Sequence, residues 1–206
     1  IGVDLGRRDI AVTSEGFNWS GENITKVRDR FSRVRASVQK KGTKGAKRLL
    51  KRLSGREKRY QTWVNHNISK QIISRAIETE ASVAVEDLTG IRDRANTQPR
   101  NKTERRRSNS WAFYQLRQFL EYKGISEGVK VVAISPRYSS QTCHKCLHIH
   151  PEPGKSYRNG KNFKCGHCGW RGDADLNGAK MISIMGQSVS LPVTRNPLSC
   201  SLLDSV

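Results

Sequence analysis

The sequence predicts an α/β domain built on a mixed β-sheet, and three observations carry that prediction. Short apolar runs rich in small and β-branched residues occur at 1–5, 10–13, 82–85 and 129–134. Stretches with an apolar residue every three or four positions lie between and after them. An acid closes two of the runs: Asp4 in Ile1-Gly2-Val3-Asp4-Leu5-Gly6, and Glu86 in Ser82-Val83-Ala84-Val85-Glu86-Asp87-Leu88. Short runs read as strands and the longer period as helices, and alternation of the two along one chain makes a layered α/β fold.

Taken in order, the first run, Ile10-Ala11-Val12-Thr13, and Gly16-Phe17-Asn18-Trp19 read as three strands in a hairpin meander. Ile24, Val27, Phe31, Val34 and Val38 then put one apolar stripe on a helix whose other face carries Arg28, Arg30, Arg33 and Arg35. Lys40-Lys41-Gly42-Thr43-Lys44-Gly45 interrupts the period with two glycines. Ala46, Leu49, Leu50, Leu53, Tyr60, Trp63, Val64, Ile68 and Ile72 resume the stripe, so a helical hairpin is expected over about 24–80. A strand at Val83, a helix from Trp111 to Lys123, a strand at Val129–Ile134 and a last helix from Asp175 complete a βββαβαβα order, with Met181, Ile182 and Met185 turned to the core. Arg92 to Ser110 has no apolar period and reads as a mobile loop.

A chain of 206 residues makes one domain, or one domain with a small appendage. Its 38 Lys and Arg against 18 Asp and Glu leave a net charge of +20, so its partners should be polyanions. The charge is clustered. Lys26 to Arg59 holds 15 basic residues against Asp29 and Glu57, and Arg92 to Arg107 holds 7 against Asp93 and Glu104. Clustering of this kind concentrates potential where a phosphate backbone can release counterions. Mean hydropathy is −0.68, and no apolar run approaches the ~18 residues of a membrane span, which excludes an integral membrane protein; no secretory signal is visible, and a cytosolic location is expected. The first residue is Ile1 rather than Met, so the chain is expected to be a piece of a longer protein.

Cys143-x-x-Cys146 and Cys165-x-x-Cys168 are separated by 18 residues, within the spacing of a structural zinc site. Two tight knuckles deliver four thiolates to one tetrahedral Zn²⁺ without a large core, and four protein ligands leave no open position, so one structural zinc is expected. Cytosolic thiols stay reduced, which disfavours the alternative of two disulfides. His144, His148, His150 and His167 lie near a sphere already filled, and Cys200 is left over.

The acids carry the chemistry. Asp4 and Glu86 end buried strands in matching contexts, and a third acid lies in Asp173-Ala174-Asp175-Leu176-Asn177-Gly178-Ala179. A buried carboxylate costs several kcal/mol unless paired or bound to a cation. Three meeting at one edge of a sheet suit a pair of Mg²⁺ or Mn²⁺ ions about 3.5 to 4 Å apart, clamping the attacking and leaving oxygens of a phosphodiester. No Ser-His-Asp set, phosphate-binding loop or His-Glu-x-x-His competes.

Gly2-Val3-Asp4-Leu5-Gly6, Val85-Glu86-Asp87-Leu88, Ser110-Trp111-Ala112-Phe113 with Leu116 and Tyr122-Lys123, Ser139-Ser140-Gln141-Thr142-Cys143, and Cys165-x-x-Cys168 running into Asp173 to Ala179 together resemble the TnpB (OrfB) family, transposon-encoded relatives of the type V CRISPR effector nucleases. The resemblance spans Ile1 to about Met185. It implies a RuvC-like domain of the RNase H fold at 1–138, a zinc ribbon that binds target nucleic acid at 139–172, the last core helix at 173–186, and an irregular tail at 187–206. It implies Asp4, Glu86 and Asp175 as catalytic metal ligands, with Asp4 least replaceable and Asp173 the nearest decoy. It also implies RNA-guided cleavage of DNA in a prokaryotic cytoplasm, at the nucleoid. On that reading Arg28, Arg30, Arg33, Arg35, Lys40, Lys41, Lys44 and Arg48 line a heteroduplex channel, and Arg105, Arg106 and Arg107 lie near the site entrance. Leu147 departs from the family, which usually has Gly after the second Cys, and Met181 stands where Asn is common. The alternative function is a catalytically silent DNA-binding regulator of the same family, which the charge and the ribbon support equally; three intact acids weigh against it.

Overall fold

The structure is a computed structural model and describes residues 1–6, 8–89, 113–152 and 154–190. The loop expected at Arg92–Ser110 with Arg105, Arg106 and Arg107, and the tail from 191 with Cys200, lie outside the described residues.

Strands β1 (Gly2–Asp4), β2 (Asp9–Thr13) and β3 (Asn18–Ser20) form the meander, followed by helices α1 (Glu22–Gln39) and α2 (Lys44–Glu78). Then come β4 (Val83–Glu86), α3 (Phe113–Glu127) and β5 (Val131–Ile134). A small three-stranded sheet, β6 (Arg158–Asn159), β7 (Asn162–Lys164) and β8 (Arg171–Asp173), precedes the last helix, α4 (Ala174–Ser190). The main sheet has the order β3-β2-β1-β4-β5, with β1 antiparallel to β2 and parallel to β4, and β4 parallel to β5. The expected mixed α/β sheet is therefore present. The last helix runs through Gln187–Ser190, four residues expected in the tail, because nothing before Pro192 breaks a helix there.

Alternation along the central strands decides which layer each residue meets. Val3, Val83 and Val85 face α2 and α3, where they join Ile68, Ile72, Leu116 and Leu120 in the main core. Gly2 and Ala84 face α4 from the other side. A Cβ on Gly2 would lie 2.0 Å from the Ala179 carbonyl oxygen, and one on Gly186 would lie 2.3 Å from the Ala84 Cβ. These two glycines let α4 sit backbone-close on β1 and β4. Two residues further along each strand, Asp4 and Glu86 have the same parity and so turn to the α4 side.

The helical hairpin is joined by polar pairs. Arg28 donates to the Gln61 side chain and Arg35 pairs with Glu57. These two arginines, seven apart and so on one face of α1, are committed to packing rather than presented outward as expected of channel residues. Arg30, Arg33, Lys40, Lys41, Lys44 and Arg48 are exposed. Val34 and Trp63, expected in the apolar stripe, are 40% and 63% exposed, since α1 and α2 bury a narrower face than the sequence period spans. No helix among the described residues is long and apolar enough to cross a membrane.

Candidate active site and metal centre

The register Val3↔Val85 sets the ends of β1 and β4 side by side, which brings Asp4 beside Glu86. The Asp4 carboxylate reaches across to α4: a Cβ on Gly178 would stand 3.1 Å from its Oδ2. Asp175 lies three residues before Gly178, one helical turn away on the same face. The three expected acids thus approach one another from two strand ends and the first turn of a helix, near enough for the charges of Glu86 and Asp175 to act on Asp4 but without all three coming within 4.8 Å of one another. Burial, the Glu86 carboxylate and the Asp175 carboxylate push the Asp4 acid up to about 8. Burial also raises Glu86, opposed by the Ser139 hydroxyl, which donates to Glu86 Oε1 at 2.5 Å and has the Pro136 carbonyl oxygen 3.1 Å away. Two carboxyls whose charged forms are disfavoured in this way, Asp4 and Glu86, are chemically matched to a divalent cation, and with Asp175 they are the residues that would hold it.

Asp173 has a different occupation. Its Oδ1 accepts the backbone N–H groups of Asp175 at 2.8 Å and Leu176 at 2.9 Å, capping α4. The cap gives Asp173, the decoy of the sequence reading, a structural part at the start of α4.

Sequence reasoning missed four residues of the site. Arg158, on the ribbon strand β6, donates to Asp175 Oδ1 at 2.7 Å and lowers the proton affinity of Asp4 through its charge. Lys161, on the turn that follows, pairs with the buried Asp9 of β2. Asn177, completely buried, donates to the Thr142 carbonyl at 2.8 Å and accepts the His144 backbone N–H at 3.1 Å. Ser139 had appeared only as a motif letter. Nothing in spacing or periodicity marks Arg158 or Lys161, because a two-residue strand in a ribbon has no pattern of its own; Asn177 had a signal, a polar residue on the inward face of an otherwise apolar helix. Together these contacts lock the ribbon onto the acids.

If Ser139 holds Glu86 in place, Ser139→Ala should weaken divalent-ion affinity about 10- to 100-fold while leaving the fold intact, as loss of an outer-shell partner does. Isothermal titration with Mn²⁺ measures this, and unchanged affinity would remove Ser139 from the site.

The four cysteines of the ribbon converge as their spacing requires. Their Sγ atoms all lie within 4.8 Å of one another, and the Cys143–Cys168 and Cys146–Cys165 separations are 3.7 Å each. Four thiolates about 2.3 Å from a tetrahedral Zn²⁺ would be about 3.8 Å apart, so the donor set fits zinc. Among the described residues this is the one cluster of three or more such donors within that span, and no histidine belongs to it. His144 instead bonds Asn177 through Nδ1 at 2.9 Å.

The two knuckles are built alike, and one is strained. Gly169 after Cys168 has φ +72°, and Leu147 after Cys146 has φ +58°, each donating its N–H to the first cysteine's carbonyl. A side chain in that left-handed region costs roughly 1 to 2 kcal/mol. Leu147→Gly should therefore stabilise the ribbon by about 1 kcal/mol, read as a higher chelator concentration needed to unfold it; an unchanged midpoint would mean that Leu147 makes up the cost by packing.

Comparison with known proteins bears on the family and the fold. The family model for the Cas12f1-like TNB domain matches residues 113–182. A TnpB-like protein of Methanocaldococcus jannaschii is 34% identical over 158 residues, 74% of this chain and 54% of that protein. The CRISPR-associated endodeoxyribonuclease Cas12f1 of Sulfoacidibacillus thermotolerans is 35% identical over 127 residues, 61% of this chain and 27% of that protein. A cryo-electron-microscopy structure of a Cas12f1–sgRNA–target DNA complex superposes with a TM-score of 0.69 at 19% identity, over 88% of this chain and 48% of that one, a likeness of fold. The chain thus spans about half the length of the TnpB-like relative and about a quarter of the Cas12f1 protein.

Proposed function

We propose that this chain, which belongs to the TnpB family related to the type V CRISPR effectors, is the RuvC-like, RNase H-type nuclease part of an RNA-guided DNA endonuclease. The observation that carries the reading is the convergence of Asp4, Glu86 and Asp175 from β1, β4 and α4 beneath a basic ribbon. Two Mg²⁺ or Mn²⁺ ions bound there would stabilise both the attacking and the leaving oxygen of a phosphodiester.

The chain's own residues prepare that chemistry. Asp4 lies against Gly178, where an added Cβ would crowd its carboxylate at 3.1 Å. Ser139 orients Glu86, and Arg158 balances Asp175 until a cation and a phosphate arrive. Asn177 ties the first zinc knuckle to the helix that carries Asp175, so the ribbon and the acids move as one. Guide RNA and target DNA are the partners proposed for the whole protein, in line with the complex whose fold it shares.

The test is cleavage of labelled single-stranded DNA with Mg²⁺ or Mn²⁺, a substrate that needs no unwinding, by the chain and by Asp4→Asn. Cutting that vanishes in the variant supports the reading. Cutting that survives it overturns the assignment, and a folded, zinc-loaded chain that binds DNA without cutting favours the silent regulator.

A further inference from the structure

The outer face of the helical layer carries a second binding feature, on the side of the sheet opposite α4. Arg59, Trp63, His66 and Lys70 recur at steps of four, three and four, which aligns them in one stripe about 17 Å long on α2. Lys58 flanks the stripe, and Lys123 reaches it from α3, where its ammonium donates to the His66 carbonyl and to Ser69 Oγ, both at 2.7 Å. These residues line a shallow groove of about 650 Å³ into which no carboxylate of the described residues projects.

Two features of this groove are unusual for a solvated helix face. Trp63 is 63% exposed, braced by the stacked ring of Tyr60 at a centroid distance of 6.2 Å. An indole this open to solvent is a poor way to solubilise a helix. The cations around it have no carboxylate partner among the described residues, and burial together with the neighbouring Lys70 charge holds the Lys123 ammonium below its usual range. Positive charges crowd here without neutralisation.

We propose that this groove binds a single strand of nucleic acid, with Trp63 stacking on an unpaired base and Arg59, Lys70 and Lys123 contacting successive phosphates. A flat aromatic ring amid cations supplies both parts of single-strand recognition, a platform for any base and a track for the backbone. A duplex offers no free base face to Trp63, and a protein partner would need acidic side chains for four cations at once. The groove lies apart from the carboxylates, so the proposal does not rest on cleavage.

The experiment is fluorescence anisotropy of labelled oligodeoxythymidylate, oligouridylate and a blunt DNA duplex, titrated with the zinc-loaded chain without added divalent ions. Trp63→Ala is expected to weaken single-strand binding roughly 5- to 100-fold, to leave duplex binding unchanged, and to keep the slope of affinity against salt. Trp63→Phe should retain most of the affinity. Lys70→Ala should instead lower the single-strand salt slope by about 0.7. A loss on either single strand sustains the proposal and says whether DNA or RNA is taken. Trp63→Ala binding both single strands as the parent does, or losing duplex and single strand equally, overturns it; the first of these outcomes would give the exposed face to a protein partner.

Discussion

Asp4→Asn is expected to abolish cleavage while stabilising the metal-free protein, and the stabilisation should grow with pH. Asp4 is buried between β1 and Gly178 of α4 and faces two other carboxylates, so its folded-state acid lies at about 8, against about 4 in an unfolded chain. Between those values the folded state holds a proton that the unfolded state has released. Raising the pH through this window therefore favours unfolding, at on the order of 1 kcal/mol per pH unit, and the loss levels off above pH 8. Asparagine carries no proton to lose, so the variant's melting temperature should fall less steeply than the parent's, with the slope that remains coming from Glu86. Added Mn²⁺ should reverse the order: the parent gains about 2.7 kcal/mol at a hundredfold excess over its dissociation constant, and the variant, lacking a ligand, gains little. Cleavage should fall by more than about 100-fold, since a direct ligand matters more than the outer-shell partners that already cost that much. Thermal melts of both proteins across pH, with and without Mn²⁺, measure this. Parallel pH profiles would show that Asp4 is not the strained acid of the cluster.

Removing zinc should unfold the ribbon and, through it, silence the acids, while the main sheet survives. The ribbon's own buried core is Cys143, Phe163, Cys165 and Ala174 with a few half-buried rings, too little apolar area to fold alone. Three ties bind it to the domain: Arg158 to Asp175, Lys161 to Asp9, and Asn177 to Thr142 and His144. Unfolding the ribbon removes these partners from Asn177 and Asp9, at about 0.5 to 1.5 kcal/mol for a neutral hydrogen bond and more for the charged pair. Hydrogen exchange after chelation should show the amides of 139–172 and the first turns of α4 losing protection, with β1, β4 and α2 unchanged. Cys165→Ser should reproduce the pattern. Ribbon amides that stay protected after stoichiometric zinc loss would mean that packing, and not the metal, holds this part together.

Much of the fold was legible because its signals are local. The strand runs at 10–13 and 83–86, the helical period from Ile24 to Ile72 and the knuckle spacing of the cysteines each lie within one stretch of chain, and the structure places them as read. Trp63 was read into the core because it falls near the apolar period, yet period alone does not say how wide a face the partner helix covers. Arg28 and Arg35 were read outward because their pattern is basic; their partners Gln61 and Glu57 lie on the next helix, more than twenty residues away, and no spacing rule links them.

By itself the sequence determined the α/β order, the four-cysteine cluster, and the two strand ends that carry Asp4 and Glu86, since each depends on side-chain type and short-range spacing. Tertiary structure alone decided the rest of the site. That Asp173 caps α4 while Asp175 pairs with Arg158 follows from how the helix starts and where the ribbon docks. That Arg158, Lys161, Ser139 and Asn177 surround the acids follows from the ribbon docking on the sheet, and that docking depends on glycines letting α4 lie against β1 and β4. Contacts between residues 17 to 152 positions apart are set by how surfaces meet, and the order of residues along a chain does not contain that information in any local pattern.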